Sequence, residues 1–351
     1  MSVLFLTADQ IDLPSGGGLV CRNEVQALRQ QFGKVEVWDR TILAGGNDPW
    51  GWDEVAVRKL TTTLWLEPFT LCHFYSGSFP KTVEALKKNG CLVSYTIAAH
   101  DRHVSKREHE QLGLQFPYSH LTEELLWQKY IEGYRLADVI ICPSTVAMAT
   151  VRQYGPAFAS KDIRVVPHGC TLPDALAPPP KRFVCGYLGS FGADKGVRYL
   201  LEAWKLLDYK DATLVLAGRD STSNWARHLI QTYGGGNIEC RGWIDDISDF
   251  FDSISLYVQS SATEGFGIEV LEAMAHGRPV LCSTGAAHEV VPWAAVEACD
   301  STALAKRINH VRKLIEVNDV NIQPSVWQSK ATNYSWNKIH EQYISVWRSM
   351  L

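Results

Sequence analysis

The amino-acid sequence predicts an α/β protein with two Rossmann-like, doubly wound domains. Short apolar runs alternate with helical patterns, which is typical of a parallel sheet covered by helices on both faces. A proline-rich linker, Leu172–Lys181, interrupts this alternation, and the same pattern then begins again. At 351 residues the chain is long for one core and sufficient for two. We therefore expect an N-terminal domain at residues 1–175 and a C-terminal domain at residues 181–330.

The first domain is predicted to begin with a strand at Val3–Thr7, a glycine-rich loop at Gly16–Gly18 and a helix from about Leu19 to Gln31. The other elements expected in this domain are strands at Val35–Trp38, Leu71–Tyr75, Leu92–Ile97, Asp138–Cys142 and Ile163–Val166, and helices at Lys81–Lys88, Thr122–Leu136 and Thr145–Tyr154.

The second domain repeats this architecture without repeating the sequence. Its expected elements are strands at Phe183–Leu188, Thr213–Ala217, Ile238–Cys240, Leu256–Gln259 and Val280–Cys282, helices at Val197–Leu207, Ser223–Tyr233 and Ile268–His276, and two closing helices near Ala303–Val317 and Trp336–Met350. Because ligands bind at the carboxyl ends of parallel strands, the loops Gly16–Gly18 and Glu264–Gly267 are expected to face each other across a cleft between the domains.

Composition excludes several classes of protein. The formal net charge of -4 argues against a nucleic-acid partner and gives no support to membrane contact through bulk charge. No apolar run approaches the length of a membrane span, and the first residues read as a strand rather than a signal peptide. Nine cysteines without a Cys-x-x-Cys pair favour reduced, buried thiols, so we expect a cytoplasmic protein.

The stretch Glu264–Val280 carries the strongest chemical signal. Gly265 and Gly267 leave the backbone N–H groups accessible at a helix N-terminus, which attracts phosphate. Glu264 lies before this turn and Glu272 lies inside the helix, where carboxylates repel phosphate but suit hydroxyl groups. A sugar joined to a nucleotide diphosphate meets both demands. The alternative is that Glu269, Glu272 and His276 form an ordinary solvated stripe of a surface helix.

A second loop, Gly189–Gly196, lies between the first strand and the first helix of the second domain. Lys195 is next to the start of the helix, where the dipole disfavours an ammonium unless it meets an anion. Arg198 could share that anion. The alternative is that Lys195 is a solvated surface lysine.

His100 and Asp101 follow a predicted strand, where the histidine could be a general base, a hydroxyl partner or a capped loop residue. Asp245, Asp246 and Asp249 are most simply acids at a helix N-terminus. The sequence has no Asp-x-Asp and no clustered metal-ligand spacing, so we expect neither a tightly bound metal nor a cofactor. It also lacks the dinucleotide, ATP-loop and esterase-elbow glycine motifs.

These motifs together resemble the retaining family 4 glycosyltransferases of the GT-B fold. Glu264 and Glu272 have the spacing of that family's E-x7-E motif. The resemblance extends over nearly the whole chain, through the glycine-rich first loop, His100-Asp101, Ala137–Ser144, Val165–Gly169, Asp194–Gly196 and a final helix, here 331–351, that usually returns to the first domain.

The resemblance implies transfer of a sugar from a nucleotide-diphosphate donor, held by the second domain, to a glycan, lipid or small-molecule acceptor on the side of the first domain. Glu264 would bind hydroxyls of the donor sugar, Glu272 the ribose and Lys195 the diphosphate, and His100 would face the transferred sugar or the acceptor. The other implied donor contacts are Gly16, Gly17, Phe266, Gly267 and Ile268.

Two positions depart from the family pattern. An arginine is common after Gly189, where this chain has Ser190, and an asparagine is common before Gly169, where this chain has His168. Ser190 keeps the position of a donor contact, and Arg198 or Arg219 could supply the missing charge. Two other functions stay open: epimerisation of a nucleotide sugar, and a catalytically idle binding or scaffold protein, which Ser190 suggests.

Overall fold

The computed structural model describes residues 1–43, 49–64, 68–97, 102–114, 120–285 and 289–351. They divide into two compact units. Unit 1 comprises Met1–Ala99, Phe116–His168 and Trp336–Leu351, and unit 2 comprises His100–Gln115 and Gly169–Ser335. Within the described ranges each unit contains a parallel sheet of six strands. The predicted α/β class with two Rossmann-like sheets is therefore confirmed.

The strands are β1 (Val3–Thr7), β2 (Val35–Trp38), β3 (Leu71–Tyr75), β4 (Leu92–Thr96), β5 (Val139–Cys142), β6 (Asp162–Val165), β7 (Val184–Leu188), β8 (Thr213–Ala217), β9 (Ile238–Gly242), β10 (Leu256–Gln259), β11 (Val280–Ser283) and β12 (Ala295–Val296). The α-helices are α1 (Gly16–Phe32), α2 (Pro49–Leu64), α3 (Pro80–Lys88), α4 (Arg102–Gln111), α5 (His120–Leu136), α6 (Thr145–Arg152), α7 (Val197–Leu207), α8 (Asn224–Tyr233), α9 (Ile247–Asp252), α10 (Ile268–Ala275), α11 (Ser301–Glu316), α12 (Pro324–Ala331) and α13 (Trp336–Met350).

The sheet of unit 1 has the strand order β2-β1-β3-β4-β5-β6. Its central strands are buried on both faces and read as nearly continuous apolar runs, as expected for a covered parallel sheet. The C-terminal helix α13 packs against α1, and its buried Tyr343 and Trp347 rings contact the ring of His73 in β3. The last helix of the sequence is thus part of the core of unit 1.

The sheet of unit 2 has the order β12-β11-β10-β7-β8-β9. The order changes direction beside β7, because the chain moves outward through β8 and β9 and then returns to β10 on the other side. Ligands of such sheets bind outside the carboxyl ends of the strands at this switch point. In unit 2 these ends belong to β7 and β10, and they carry Gly189 and Ser260.

Three features differ from the sequence prediction. The glycines at Gly16–Gly18 form the first turn of α1 rather than a loop, because Ser15 caps the helix and accepts a hydrogen bond from the Gly18 N–H at 3.1 Å. Helices α2, α4 and α12 were not predicted. The unit boundary falls after His168, and α4, which lies inside the expected N-terminal domain, groups with unit 2.

Seven of the nine cysteines are buried, in agreement with the predicted burial of most of these thiols. Among the described residues, every helix is too short or too polar to span a bilayer.

Candidate functional site

The loop that carries Lys195 touches the backbone that follows β10. Gly196 has φ +62°, and a Cβ added there would lie 2.0 Å from the Ser260 carbonyl oxygen. The Ala262 N–H donates to the Asp194 carbonyl at 2.8 Å. Only a residue without a side chain permits this approach at a positive φ. The Asp-Lys-Gly sequence thereby fixes Lys195 beside the carboxyl end of β10.

Lys195 and Glu264 form the centre of the candidate site. The Lys195 Nζ lies 2.5 Å from Glu264 Oε2, and the two side chains are 24% and 17% exposed. Ser261 Oγ also donates to Glu264 Oε2 at 3.2 Å, and Gln259 Nε2 does so at 3.4 Å. Burial acts to lower the pKa of Lys195, but the charge and the hydrogen bond of Glu264 outweigh it and raise the pKa. Lys195 is therefore a partly buried, charged partner of Glu264 and not a solvated surface lysine.

Helix α10 has the predicted bounds to within one residue. It begins after Gly267, which has φ +88°, and ends before Gly277, which has φ +70°. Phe266 and Ile268 are buried, at 4% and 8% exposure. Their side chains belong to the core, so these two residues can offer a ligand only their backbone groups at the helix N-terminus.

The acidic side of α10 is only partly accessible to water. Burial, strengthened by the charge of Glu264, raises the pKa of Glu269, although Lys195 opposes this. Burial and the charge of Glu269 raise the pKa of Glu272 to about 8. His276 is buried, with its Nδ1 at 3.2 Å from Asp252 Oδ1. The alternative of an ordinary solvated stripe is therefore wrong for His276, which is buried. It also fits Glu269 and Glu272 poorly, because both are only partly accessible to water.

Ser190 lies at the carboxyl end of β7 with an exposed side chain. Its carbonyl oxygen accepts a hydrogen bond from the buried Tyr187 hydroxyl at 2.7 Å, which holds the backbone of this loop. The structure therefore places Ser190 at the switch point of the sheet, where the resemblance places a donor contact. No described interaction involves its hydroxyl group.

Arg198 is already engaged by helix α4. Its Nη2 lies 3.5 Å from Glu108 Oε2 and donates to Gln111 Oε1 at 2.7 Å. The hydroxyl of Tyr199 donates to the same Glu108 oxygen at 2.7 Å. The Arg198 side chain is 13% exposed and that of Glu108 is 2% exposed. The contact between Arg198 and a diphosphate stays a prediction, and in this structure the guanidinium is paired with Glu108.

In unit 1, the predicted donor contacts Gly16 and Gly17 lie in the first turn of α1. Asp9 is close to them, since a Cβ added to Gly17 would lie 3.2 Å from Asp9 Oδ2. Burial raises the pKa of Asp9, with a smaller opposing effect from Arg40. A more easily protonated carboxyl group repels an anion less at this helix end. His100 and Asp101 lie outside the described residues.

His168, which replaces the asparagine common in the family, is buried at 3% exposure. Burial lowers its pKa to about 3, so the ring is neutral near pH 7.

The hypothesis of helix N-terminal acids is confirmed for Asp246, which caps α9 through the Ser248 N–H at 2.8 Å, and for Asp249 in the first turn. Asp245 instead accepts a hydrogen bond from the Trp243 indole at 2.9 Å.

The sequence interpretation missed three residues that shape the site. Gln259 and Ser261 hold the Glu264 carboxylate, and Glu108 holds Arg198. Gln259 ends the predicted strand before Glu264 and Ser261 lies two residues beyond it, and this position was a usable signal. Glu108 offered none, because its partner is distant in sequence. Across the described residues, no three His, Cys, Asp or Glu side chains cluster as metal ligands would.

Residues 182–313 match the family model described as glycosyl transferases group 1. A glycosyltransferase of Haemophilus influenzae, itself uncharacterised, is 27% identical over 172 residues, which are 47% of this chain and 47% of that protein. The chain thus spans about half the length of the curated relatives it matches.

Solved structures are similar in fold to nearly the whole chain. Sucrose-phosphate synthase from Thermosynechococcus elongatus has a TM-score of 0.77 and 16% identity, covering 99% of this chain and 98% of its own. HepE of Anabaena, in complex with UDP and glucose, has a TM-score of 0.71 and 18% identity, covering 99% and 100%. The resemblance to glycosyltransferases is confirmed: residues 182–313 are similar in sequence to glycosyl transferases group 1, and the chain has the GT-B fold.

Proposed function

We propose that this protein transfers a sugar from a nucleotide-diphosphate sugar to a hydroxyl group of an acceptor and keeps the anomeric configuration. The observation that carries the proposal is the pairing of Lys195 with Glu264, at 2.5 Å, beside the glycine-started N-terminus of α10. A cation and a helix N-terminus suit the diphosphate, and the neighbouring carboxylates suit sugar hydroxyls. The HepE complex with UDP and glucose supports a donor of this class.

The chemistry requires stabilisation of a leaving group. As the oxygen of the acceptor bonds to the anomeric carbon, the bond from that carbon to the phosphate oxygen breaks and its electron pair leaves with the nucleoside diphosphate. We assign the stabilisation of this charge to Lys195 and to the backbone N–H groups at the start of α10. The proton of the acceptor hydroxyl goes to the departing phosphate oxygen. Partial burial strengthens each of these interactions.

The acidic residues would position the donor. Glu264, held by Ser261 and Gln259, would accept hydrogen bonds from the sugar hydroxyls. Glu272, with a pKa near 8, can either donate or accept a hydrogen bond at neutral pH, which suits a ribose hydroxyl. The proposal includes no metal, since the sequence has no Asp-x-Asp pair to hold one. Turnover should then survive a chelator, and a loss restored by Mg²⁺ would contradict this part.

A screen of UDP, GDP and ADP sugars tests the proposal. A matching nucleotide should raise the melting temperature, and the free nucleoside diphosphate should appear only when an acceptor is present. Product formation without an acceptor would favour epimerisation, which the comparisons do not support.

The nine free cysteines fit the cytoplasmic location that we propose with this activity.

Calorimetry separates an enzyme from a scaffold. We expect wild-type protein to bind one of UDP, GDP or ADP, and Glu272→Ala to weaken that binding about tenfold or more by removing a charge-capable hydrogen-bond partner of the ribose. Glu297→Ala, at an exposed position of the same unit, is the matched control. Absence of binding at millimolar nucleotide would support the scaffold hypothesis instead.

A further inference from the structure

The two cations predicted to hold the diphosphate are both paired in this structure. Lys195 contacts Glu264 at 2.5 Å, and Arg198 contacts Glu108 at 3.5 Å and Gln111 at 2.7 Å. A nucleoside diphosphate carries at least two negative charges near neutral pH. Each cation must therefore share or leave its carboxylate to bind the ligand, and a cation without such a partner would bind it at lower cost.

Arg219 and Ser190 follow neighbouring strands of the sheet of unit 2. β7 pairs with β8 in parallel, with Leu188 opposite Ala217. Ser190 and Arg219 each lie two residues beyond this last pair, one on each strand. The backbones remain in contact beyond the paired residues, because the Gly189 N–H donates to the Ala217 carbonyl at 3.0 Å.

Gly218 makes this approach possible. It has φ +127°, and a Cβ added there would lie 2.0 Å from the Gly189 carbonyl oxygen. Arg219 and Ser190 therefore follow the carboxyl ends of neighbouring strands, at the same edge of the sheet. This is the edge at which the family commonly carries an arginine on the Ser190 strand.

The Arg219 side chain is exposed and held only weakly. Its guanidinium carbon lies 5.4 Å from the centroid of the Trp243 ring, and the Trp243 side chain is itself 42% exposed. Within the described part of the chain, no carboxylate forms an ion pair with it. An exposed contact between a cation and a ring is easily exchanged for a charged ligand. Among the described residues, Arg219 thus differs from Lys195 and Arg198 in having no carboxylate partner.

We propose that Arg219 binds the diphosphate of the donor and supplies the guanidinium that Ser190 lacks. This inference rests on the proposed function and names a binding residue for it. The planar fork of an arginine matches two phosphate oxygens, so a lysine at this position would replace it only in part.

Calorimetry with UDP, GDP and ADP, and with the corresponding nucleosides, tests the proposal. Arg219→Ala should weaken binding of the diphosphate about tenfold or more, the usual scale for losing hydrogen bonds to a charged group. It should leave binding of the nucleoside unchanged, since the nucleoside carries no phosphate. Arg227→Ala, another exposed arginine of unit 2, is the matched control and should change neither.

A rescue variant makes the test specific. Adding Ser190→Arg to Arg219→Ala should restore most of the diphosphate affinity, because the two positions follow the carboxyl ends of neighbouring strands. Equal diphosphate affinity in wild-type protein and Arg219→Ala would overturn this inference alone. An equal loss of nucleoside and diphosphate binding would also overturn it. Absence of nucleotide binding in wild-type protein would overturn the proposed function and this inference together.

Discussion

Each unit places a carboxylate against a basic side chain, and the two pairs differ in access to water. In unit 1, Glu24 Oε2 lies 3.1 Å from His73 Nε2, and both side chains are 0% exposed. In unit 2, Lys195 and Glu264 are 2.5 Å apart and 24% and 17% exposed. The first pair is sealed in the core, whereas the second can exchange a partner for a ligand.

The surroundings of the buried pair explain its role. His73 Nδ1 contacts Ser94 Oγ at 2.7 Å, and the Trp347 ring of α13 lies 5.1 Å from the His73 ring. These contacts join α1, β3, β4 and α13. The pair therefore gives unit 1 a specific packing of its C-terminal helix and has no open side for a substrate. A buried pair of ionisable groups is not by itself a functional site. The pair of Lys195 and Glu264 differs from it in being partly exposed.

Removing one partner of the buried pair should have the largest effect. Glu24→Ala leaves His73 without its carboxylate in the core and should lower the free energy of unfolding by about 3–5 kcal/mol. Urea denaturation measures this change. Glu54→Ala, which removes an exposed partner of Lys81 in the same unit, is the control. A loss no greater than that of the control would show that the buried pair does not hold unit 1 together.

The exposed pair should respond in activity. Lys195→Ala should lower turnover by about two orders of magnitude or more, as for the loss of one preorganised donor to a developing charge. It should change the free energy of unfolding less than Glu24→Ala, because Glu264 keeps hydrogen bonds from Ser261 and Gln259. Kinetics with the donor found in the screen measure the effect, and Lys210→Ala, at an exposed lysine, is the control. Near-normal turnover would remove Lys195 from the proposed chemistry.

The acidic side of α10 should make stability depend on pH. The pKa of Glu272 is raised to about 8 in the folded protein, from an ordinary value of 4.5, so between these pH values the folded state retains a proton that the unfolded state loses. Stability from this group is therefore full below about pH 4.5 and is lost as the pH rises through 8.

Glu272→Gln should remove part of this dependence. The amide cannot ionise, so the variant should be more stable than wild-type protein at pH 9, by about 1–2 kcal/mol after allowance for solvent and for coupling to Glu269. The two proteins should be nearly equal at pH 5. Urea denaturation at both pH values checks this, with Glu297→Gln as the exposed control. Parallel pH profiles for wild-type protein and Glu272→Gln would contradict the assignment.

Local signals predicted much of the fold. Apolar runs located the strands, and glycines bounded α10 at Gly267 and Gly277, because those positions need a positive φ. Helix α4 escaped prediction because Val104 is its single apolar residue, so it has no apolar stripe. Helix α2 escaped because Gly51 and the run of three threonines at 61–63 have low helix propensity.

The sequence by itself predicted the two parallel sheets and identified Glu264 and Glu272 as candidate site residues. Both predictions depend on residues that are close together in the chain. Only the tertiary structure decided which cations are already paired. The buried Glu108 meets the Tyr199 hydroxyl across 91 positions of sequence and engages Arg198 as well. The pairing of β7 with β8 puts Ser190 and Arg219 at the carboxyl ends of neighbouring strands, although they are distant in the sequence. Local sequence patterns reflect helix and strand propensity and hydrophobic periodicity. The ion-pair partners of a charged side chain depend instead on elements that are distant in sequence and meet only in the folded protein.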